Sequence, residues 1–275
     1  MRKGQWALGV GAVVLVVLLY FCAKTFQSKS TETQTVAQEI SWNEIEQNAI
    51  ASLPAGAKDS VSQINKSLEV ADTSQQAARL ASLVFFWIQH NQKPVAAYKI
   101  YQHAEKVNSA NAWSDAGDAF TEAFRSNTDS AISNKIITFA LQSYGKVLEL
   151  LPGDINTRIK MAEIYVQGTQ EPMKGIGILK SIVDSLPDNV PALIALGRMS
   201  LQSGQFDKAR ERLEKVLQLE PQNTEAMYFL AVTEAESGDK EKAVKLLELC
   251  KQLVANPEFD KEIDAFIKDL KNKNE

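Results

Sequence analysis

The stretch "LGRMSLQSGQFDKARERLEKVLQLEP", residues Leu196–Pro221, decides how the chain is read. Shifted by 34 residues, the sequence meets itself: Gly204 falls on Gly238, Ala209 on Ala243, Leu213 on Leu247 and Pro187 on Pro221, while Leu196 and Gly197 fall on Leu230 and Ala231. Agreement at so many spaced positions marks a copy of a repeat, not a lone helical hairpin. Each shared position has a mechanical reason. Two antiparallel helices pack closely only where small side chains meet, the part of Gly197 or Ala231 on the first helix and Ala209 or Ala243 on the second. Gly204 and Gly238 end the first helix, because a C-terminal cap often needs a left-handed conformation that glycine adopts cheaply. Leu213, Val216 and Leu219 form the stripe that faces the next unit. Pro221 stops the second helix, and "QNTE" sets the entry to the next.

Working outward, "PGDINTRIKMAEIYVQGTQEPMKGIGILKSIVDSL" fits with one extra residue, placing Ala162 and Tyr165 in a first helix and Gly175, Leu179 and Ile182 in a second. Further back stand Trp113, Ala116, Gly117 and Phe120, followed by Ala140, Tyr144, Val147 and Leu150 before Pro152, with an insertion of about 11 residues around Ser126–Lys135. An earlier copy joins "RLASLVFFWIQHNQ" to Ala97, Tyr101, Ala104 and Val107; either Leu80 or Ala81 opens its first helix. From Ser41 onward apolar residues recur every three or four positions without sustained alternation, so the fold class is all-α.

The spacing W-x2-small-G-x2-aromatic at Trp113–Phe120, with the 34-residue period, resembles the tetratricopeptide-repeat family. The resemblance covers about residues 76–256 as five units, near 76–109, 110–152, 153–187, 188–221 and 222–256. It implies a right-handed superhelical solenoid whose first helices line a concave groove. Carried onto this sequence, the groove positions are Asn111, Ser114, Asp118, Thr121 and Glu122; Asn156, Ile159, Glu163, Val166 and Gln167; Ile194, Arg198, Leu201 and Gln202; and Tyr228, Val232 and Glu236. Ile159, Ile194, Leu201, Tyr228 and Val232 read as an apolar track where solvent alone would favour polar residues. Family members that clamp acidic chaperone tails carry several basic and amide residues there. Only Arg198 is basic among these positions, which argues against that role. After Asn256, Phe259, Ile263, Phe266, Ile267 and Leu270 share one face, as in a helix that caps a solenoid over 257–275.

Ahead of the repeats, Ser41 with Glu44 and Thr73 with Gln76 have the form of capping boxes, placing helices between 41 and 75 and at the first repeat. Residues 27–40 are polar and read as a tether. Residues 1–26 differ from everything else: no charge lies between Lys3 and Lys24, and Trp6–Ala23 is almost wholly apolar. About 20 residues at 1.5 Å each match a hydrocarbon core of about 30 Å. Tyr20 and Phe21 stand where a cleavage site needs small residues, and Phe21 before Cys22 suits a lipoprotein signal poorly. The expectation is an uncleaved anchor, with a lipoprotein or cleaved signal as alternatives. Basic residues tie across the span, so orientation rests on the cationic start: N-terminus in the cytoplasm of a bacterial cell, repeats in the periplasm.

Residues 41–275 carry 26 Lys+Arg against 32 Asp+Glu, about −6, without the concentrated positive charge of a nucleic-acid binder. Two cysteines make no disulfide framework, and Cys250 reads as a small buried apolar residue. His90 and His103 share no metal or catalytic spacing, "GIG" at Gly175–Gly177 follows no strand, and neither a nucleophile elbow nor a phosphate loop occurs. The sequence therefore predicts no enzyme, no cofactor and no small-molecule substrate. Its expected partner is a protein or peptide segment held in the groove, with the membrane engaged through the anchor. Similar architecture serves secretion, protein quality control and cytochrome c maturation in bacterial envelopes. A self-associating structural subunit, or a receptor on a mitochondrial surface, are the alternatives.

Overall fold

The computed structural model describes residues 40–272. The anchor expected over Trp6–Ala23, the tether up to Glu39 and the last three residues lie outside the described residues. Among the described residues no helix is long and apolar enough to cross a membrane. Thirteen helices and no strand are found there: α1 (Trp42–Ser52), α2 (Ala55–Glu69), α3 (Thr73–Gln89), α4 (Lys93–Val107), α5 (Ala110–Ser126), α6 (Ser130–Leu150), α7 (Ile155–Gly168), α8 (Pro172–Ser185), α9 (Val190–Gln202), α10 (Phe206–Leu219), α11 (Thr224–Ser237), α12 (Lys240–Val254) and α13 (Pro257–Asn272). They belong to one compact unit.

The period seen in the sequence recurs in the helices. α8, α10 and α12 open at Pro172, Phe206 and Lys240, 34 residues apart each time. Every first helix of this series begins with a side-chain cap: Asp154 accepts from the Thr157 N–H at 2.9 Å, Asn189 from Ala192 at 3.0 Å and Asn223 from Ala226 at 2.9 Å. Each cap satisfies a helix-start donor that has no partner within the helix. At the other ends of α9 and α11, Gly204 and Gly238 have φ of +70° and +100°, the left-handed geometry that lets the chain reverse into the next helix.

Packing within each hairpin follows the small residues. Ala162, Ala209, Ala231 and Ala243 are fully buried, and Gly197 lies so close to Leu213 that a Cβ there would stand 2.9 Å from Leu213 Cγ. Between hairpins the contact is aliphatic. Leu179 and Ile182 of α8 meet Ala192, Ala195 and Leu196 of α9, and Leu213 and Val216 of α10 join Ala226 and Leu230 of α11. Burial of each leucine, isoleucine or valine side chain in these clusters contributes roughly 1.5–3 kcal/mol. α13 closes the series by packing Ile263, Ile267 and Leu270 onto Ala231, Ala243 and Leu247.

Three details differ from or add to the sequence reading. The insertion near Ser126–Lys135 is spent on helix, with only Asn127–Asp129 between helices: α5 and α6 run 17 and 21 residues, against 13 and 14 for α9 and α10. The cap of α3 is Asp72, whose carboxylate accepts from the Gln75 N–H at 3.0 Å, one residue before the expected Thr73; Asp72 is the residue held in extended conformation, and aspartate caps at least as well as threonine. Finally, α1 docks through Trp42, which stacks on Tyr98 at 4.6 Å and meets Phe120 and Phe139 at 5.5 and 5.2 Å.

Candidate protein-binding face

The expected groove residues lie on α5, α7, α9 and α11, and the structure sorts them into three kinds. The first kind is withdrawn from solvent. Ile159 and Ile194 are each only 7% exposed; Ile159 packs with Leu179 and Ala195, and Ile194 with Ala209 and Leu230. Their apolar character is explained by the contact between neighbouring hairpins. Leu201 and Val166 are half-buried on the same clusters.

The second kind is paired, mostly across hairpins. Asp118 takes a hydrogen bond from the Tyr144 hydroxyl at 2.9 Å and an ion pair from Lys160 at 2.7 Å. Burial, reinforced by that carboxylate and opposed by Thr121, holds the Tyr144 hydroxyl well above its ordinary pKa, so it stays a donor. Thr121 donates to the Gly117 carbonyl at 2.8 Å and lies 2.9 Å from the Tyr144 oxygen. Glu163 sits between Arg125 at 3.9 Å and Arg198, which donates to it directly. Arg198 also lies 5.9 Å over the Phe229 ring. Glu122 turns away to Lys93 of α4 at 2.7 Å, and the hydrogen bond from that ammonium holds its carboxyl below the ordinary range. A ladder of opposite charges thus runs from α5 through α7 to α9.

The third kind is open. Asn111, Asn156, Gln167, Gln202 and Glu236 are exposed and Ser114 half-exposed. Tyr228 and Val232 are half-buried and line a groove of about 480 Å³ with Phe259, Glu262, Ile263 and Phe266 of α13. This groove is mostly apolar, with one carboxylate at its edge. The sequence reading placed Phe259 and Phe266 on the packing face of the cap helix and so missed them as groove residues. The available signal was their size: two phenylalanines share a stripe with Ile263, Ile267 and Leu270, and both are buried only in part against that cluster. Of the seventeen expected groove positions, only Tyr228 and Val232 line this cavity.

Cys250 and His90 have packing roles. Cys250 is fully buried, which pushes its thiol up to about 11. His90 stacks on Phe86 at 4.2 Å, its Nδ1 lying 2.8 Å from the Phe86 carbonyl. Among the described residues no cluster of His, Cys, Asp and Glu could hold a metal ion.

Comparison with known proteins places the two-helix unit. The family model "Tetratricopeptide repeat" matches residues 200–259, which runs from the end of α9 into α13. The chain carries tetratricopeptide repeats. A curated relative, the chloroplastic protein SLOW GREEN 1 of Arabidopsis thaliana, is 27% identical over 127 residues; the match covers 46% of this chain and 39% of that protein. The chain therefore spans about two fifths of the length of the curated relative it matches. Among solved structures, a thermophilic TPR protein of Thermus thermophilus is 14% identical with a TM-score of 0.49, covering 68% of this chain and 97% of its own. YrrB, a TPR protein with an unusual peptide-binding site, is 16% identical with a TM-score of 0.41, covering 74% and 97%. At these identities and scores, what those proteins bind does not transfer to this tetratricopeptide array.

Proposed function

We propose that this tetratricopeptide scaffold binds a protein segment on its first-helix face, and that the segment is anchored by apolar side chains in the groove between α11 and α13. The observation that carries this reading is the groove itself. Its volume of about 480 Å³ is within the range of roughly 300–1,000 Å³ typical of binding pockets. Tyr228, Phe259 and Phe266 supply the rigid aromatic surface that dominates protein recognition. Glu262 at the edge favours a basic residue flanking the apolar anchor. A helical or extended segment would lie along α11 with its apolar side chains inserted. The Trp6–Ala23 segment, as an anchor, would hold this scaffold at a bacterial inner membrane with the repeats in the periplasm, where it would serve envelope assembly.

The test is crosslinking in cells followed by pull-down of the full chain. Tyr228→Glu combined with Phe266→Glu should abolish recovery of the partner while leaving the helical circular dichroism spectrum intact. Recovery at wild-type yield from the folded double variant would remove the groove from consideration. A topology reporter after residue 30 and at Glu275 should place both in the periplasm; a cytoplasmic signal would refute the envelope placement.

A further inference from the structure

The opposite side of α9 presents a different surface. At 3.6 residues per turn, Leu196, Met199, Ser200 and Ser203 project about half a turn away from Ile194, Arg198 and Leu201. There they line a cavity of about 180 Å³ with Met173, Ile176 and Lys180 of α8, Gln205 of the turn, and Lys208 and Arg212 of α10. Three cations border this cavity and no carboxylate does. Most other bases near the repeats are paired: Arg210 and Lys242 with Glu234, Lys160 with Asp118, Arg198 with Glu163.

These three cations have no such partner. Among the described residues Lys180 makes no ion pair or hydrogen bond, and Lys208 reaches only the Gln205 side-chain oxygen at 2.8 Å. Arg212 is half-buried and donates through Nη1 alone, to Ser200 Oγ and to the Leu196 carbonyl at 3.4 Å. Its Nε and Nη2 donors have no acceptor among the described residues. Glu211, next in sequence, raises its pKa through space, yet desolvation outweighs that charge and pulls the guanidinium below its ordinary value. A desolvated guanidinium with free donors is stabilised by an incoming anion.

We propose that this cavity binds the free C-terminal residue of a peptide, its carboxylate on Arg212 and Lys208 and its aliphatic side chain against Met173, Ile176, Leu196 and Met199. Two features select this ligand. The cavity is smaller than pockets for drug-sized molecules, so it fits about one residue. Four of the ten lining residues are apolar, which suits a carboxylate on an aliphatic body better than a phosphate that must be hydrogen-bonded on every side. The planar guanidinium fork matches a carboxylate in two parallel hydrogen bonds.

The experiment is calorimetric titration of the full chain with a short peptide ending in leucine, the same peptide amidated, 4-methylpentanoate, and inorganic phosphate. Saturable binding of the free-acid peptide, weakened about tenfold or more by amidation, is expected, as is a similar loss in Arg212→Gln. Because Arg212 is part of the fold, Lys180→Ala with Lys208→Ala provides a second, exposed pair that should weaken the peptide by several fold. Competitive binding of 4-methylpentanoate as tight as the peptide would support the carboxylate site and name a free acid as its source. Equal binding of the amide, phosphate binding as tightly as the peptide, or no saturable binding would each overturn the proposal. Tyr228→Glu should leave this titration unchanged, which keeps the two sites separable.

Discussion

Two glycines on α8 test the packing of the array against each other. A methyl group on Gly175 would lie 2.3 Å from the Ala162 carbonyl oxygen and 2.8 Å from Val166 Cγ2, both on α7. On Gly177, two residues on, nothing lies within 4 Å. Alanine relieves the glycine penalty of a helix interior at both, by about 0.8–1 kcal/mol. At Gly177 that is the whole effect, so Gly177→Ala should stabilise by about 0.8–1 kcal/mol. At Gly175 the obstructing atom is a backbone oxygen, which cannot rotate aside as a side chain can. α8 must move off α7, and overpacking of this kind costs about 1–3 kcal/mol. The net loss is about 0–2 kcal/mol, and the two variants differ by roughly 1–3 kcal/mol. Both changes are Gly→Ala in one helix, so effects on the unfolded chain cancel in the comparison. At roughly 2–4 °C per kcal/mol for a unit of this size, melting followed by circular dichroism should separate them by about 2–12 °C. Equal melting temperatures, or Gly175→Ala the more stable, would refute the close approach of α7 and α8.

Two further outcomes follow from buried groups. Glu234 is 1% exposed and held by Arg210 through two hydrogen bonds of 2.9 Å and by Lys242 at 2.7 Å. Burial pushes its carboxyl up, but these partners together outweigh burial and hold it below 4.5. Its contribution is therefore present above pH about 4.5 and lost as pH falls toward the depressed folded value; Glu234→Gln should cost about 1–3 kcal/mol at neutral pH and flatten that acid slope in urea titrations. Cys250, with its thiol at about 11, should resist iodoacetamide at pH about 8 in the folded chain and react on unfolding, read by mass mapping at that residue. Alkylation of native protein at the rate of a free thiol would contradict the buried placement.

How legible these features were depends on whether they repeat. Gly197, Gly204, Ala209 and Leu213 each have a counterpart 34 residues on, and a periodic constraint shows in one sequence because the same packing problem is solved twice. Trp42 has no counterpart. Its stacking on Tyr98 joins residues 56 positions apart, and nothing in the local pattern of α1 distinguishes it from any apolar helix residue. The groove was half legible for the same reason: Tyr228 and Val232 lie at repeat positions, while Phe259 and Phe266 come from α13, which lies outside the period.

The same division bears on what the scaffold can select. A face lined by Asp118, Glu163 and Arg198 reads from sequence as a row of free charges awaiting a partner. In the folded chain Lys160, Arg125 and Arg198 itself neutralise those carboxylates across neighbouring hairpins. Partly exposed pairs of this kind are each worth about 0–1 kcal/mol, too little to fix the stacking of hairpins that Ile159 and Ile194 already fix. In the proposed binding mode their larger effect would be on recognition, since a partner on this face must either match a nearly neutral ladder or break it. Discrimination would then pass, in that mode, to the C-terminal end, where Tyr228, Val232, Phe259 and Phe266 remain partly uncovered. That is why a change at Arg198 should alter the salt dependence of binding, and a change at Phe266 its existence.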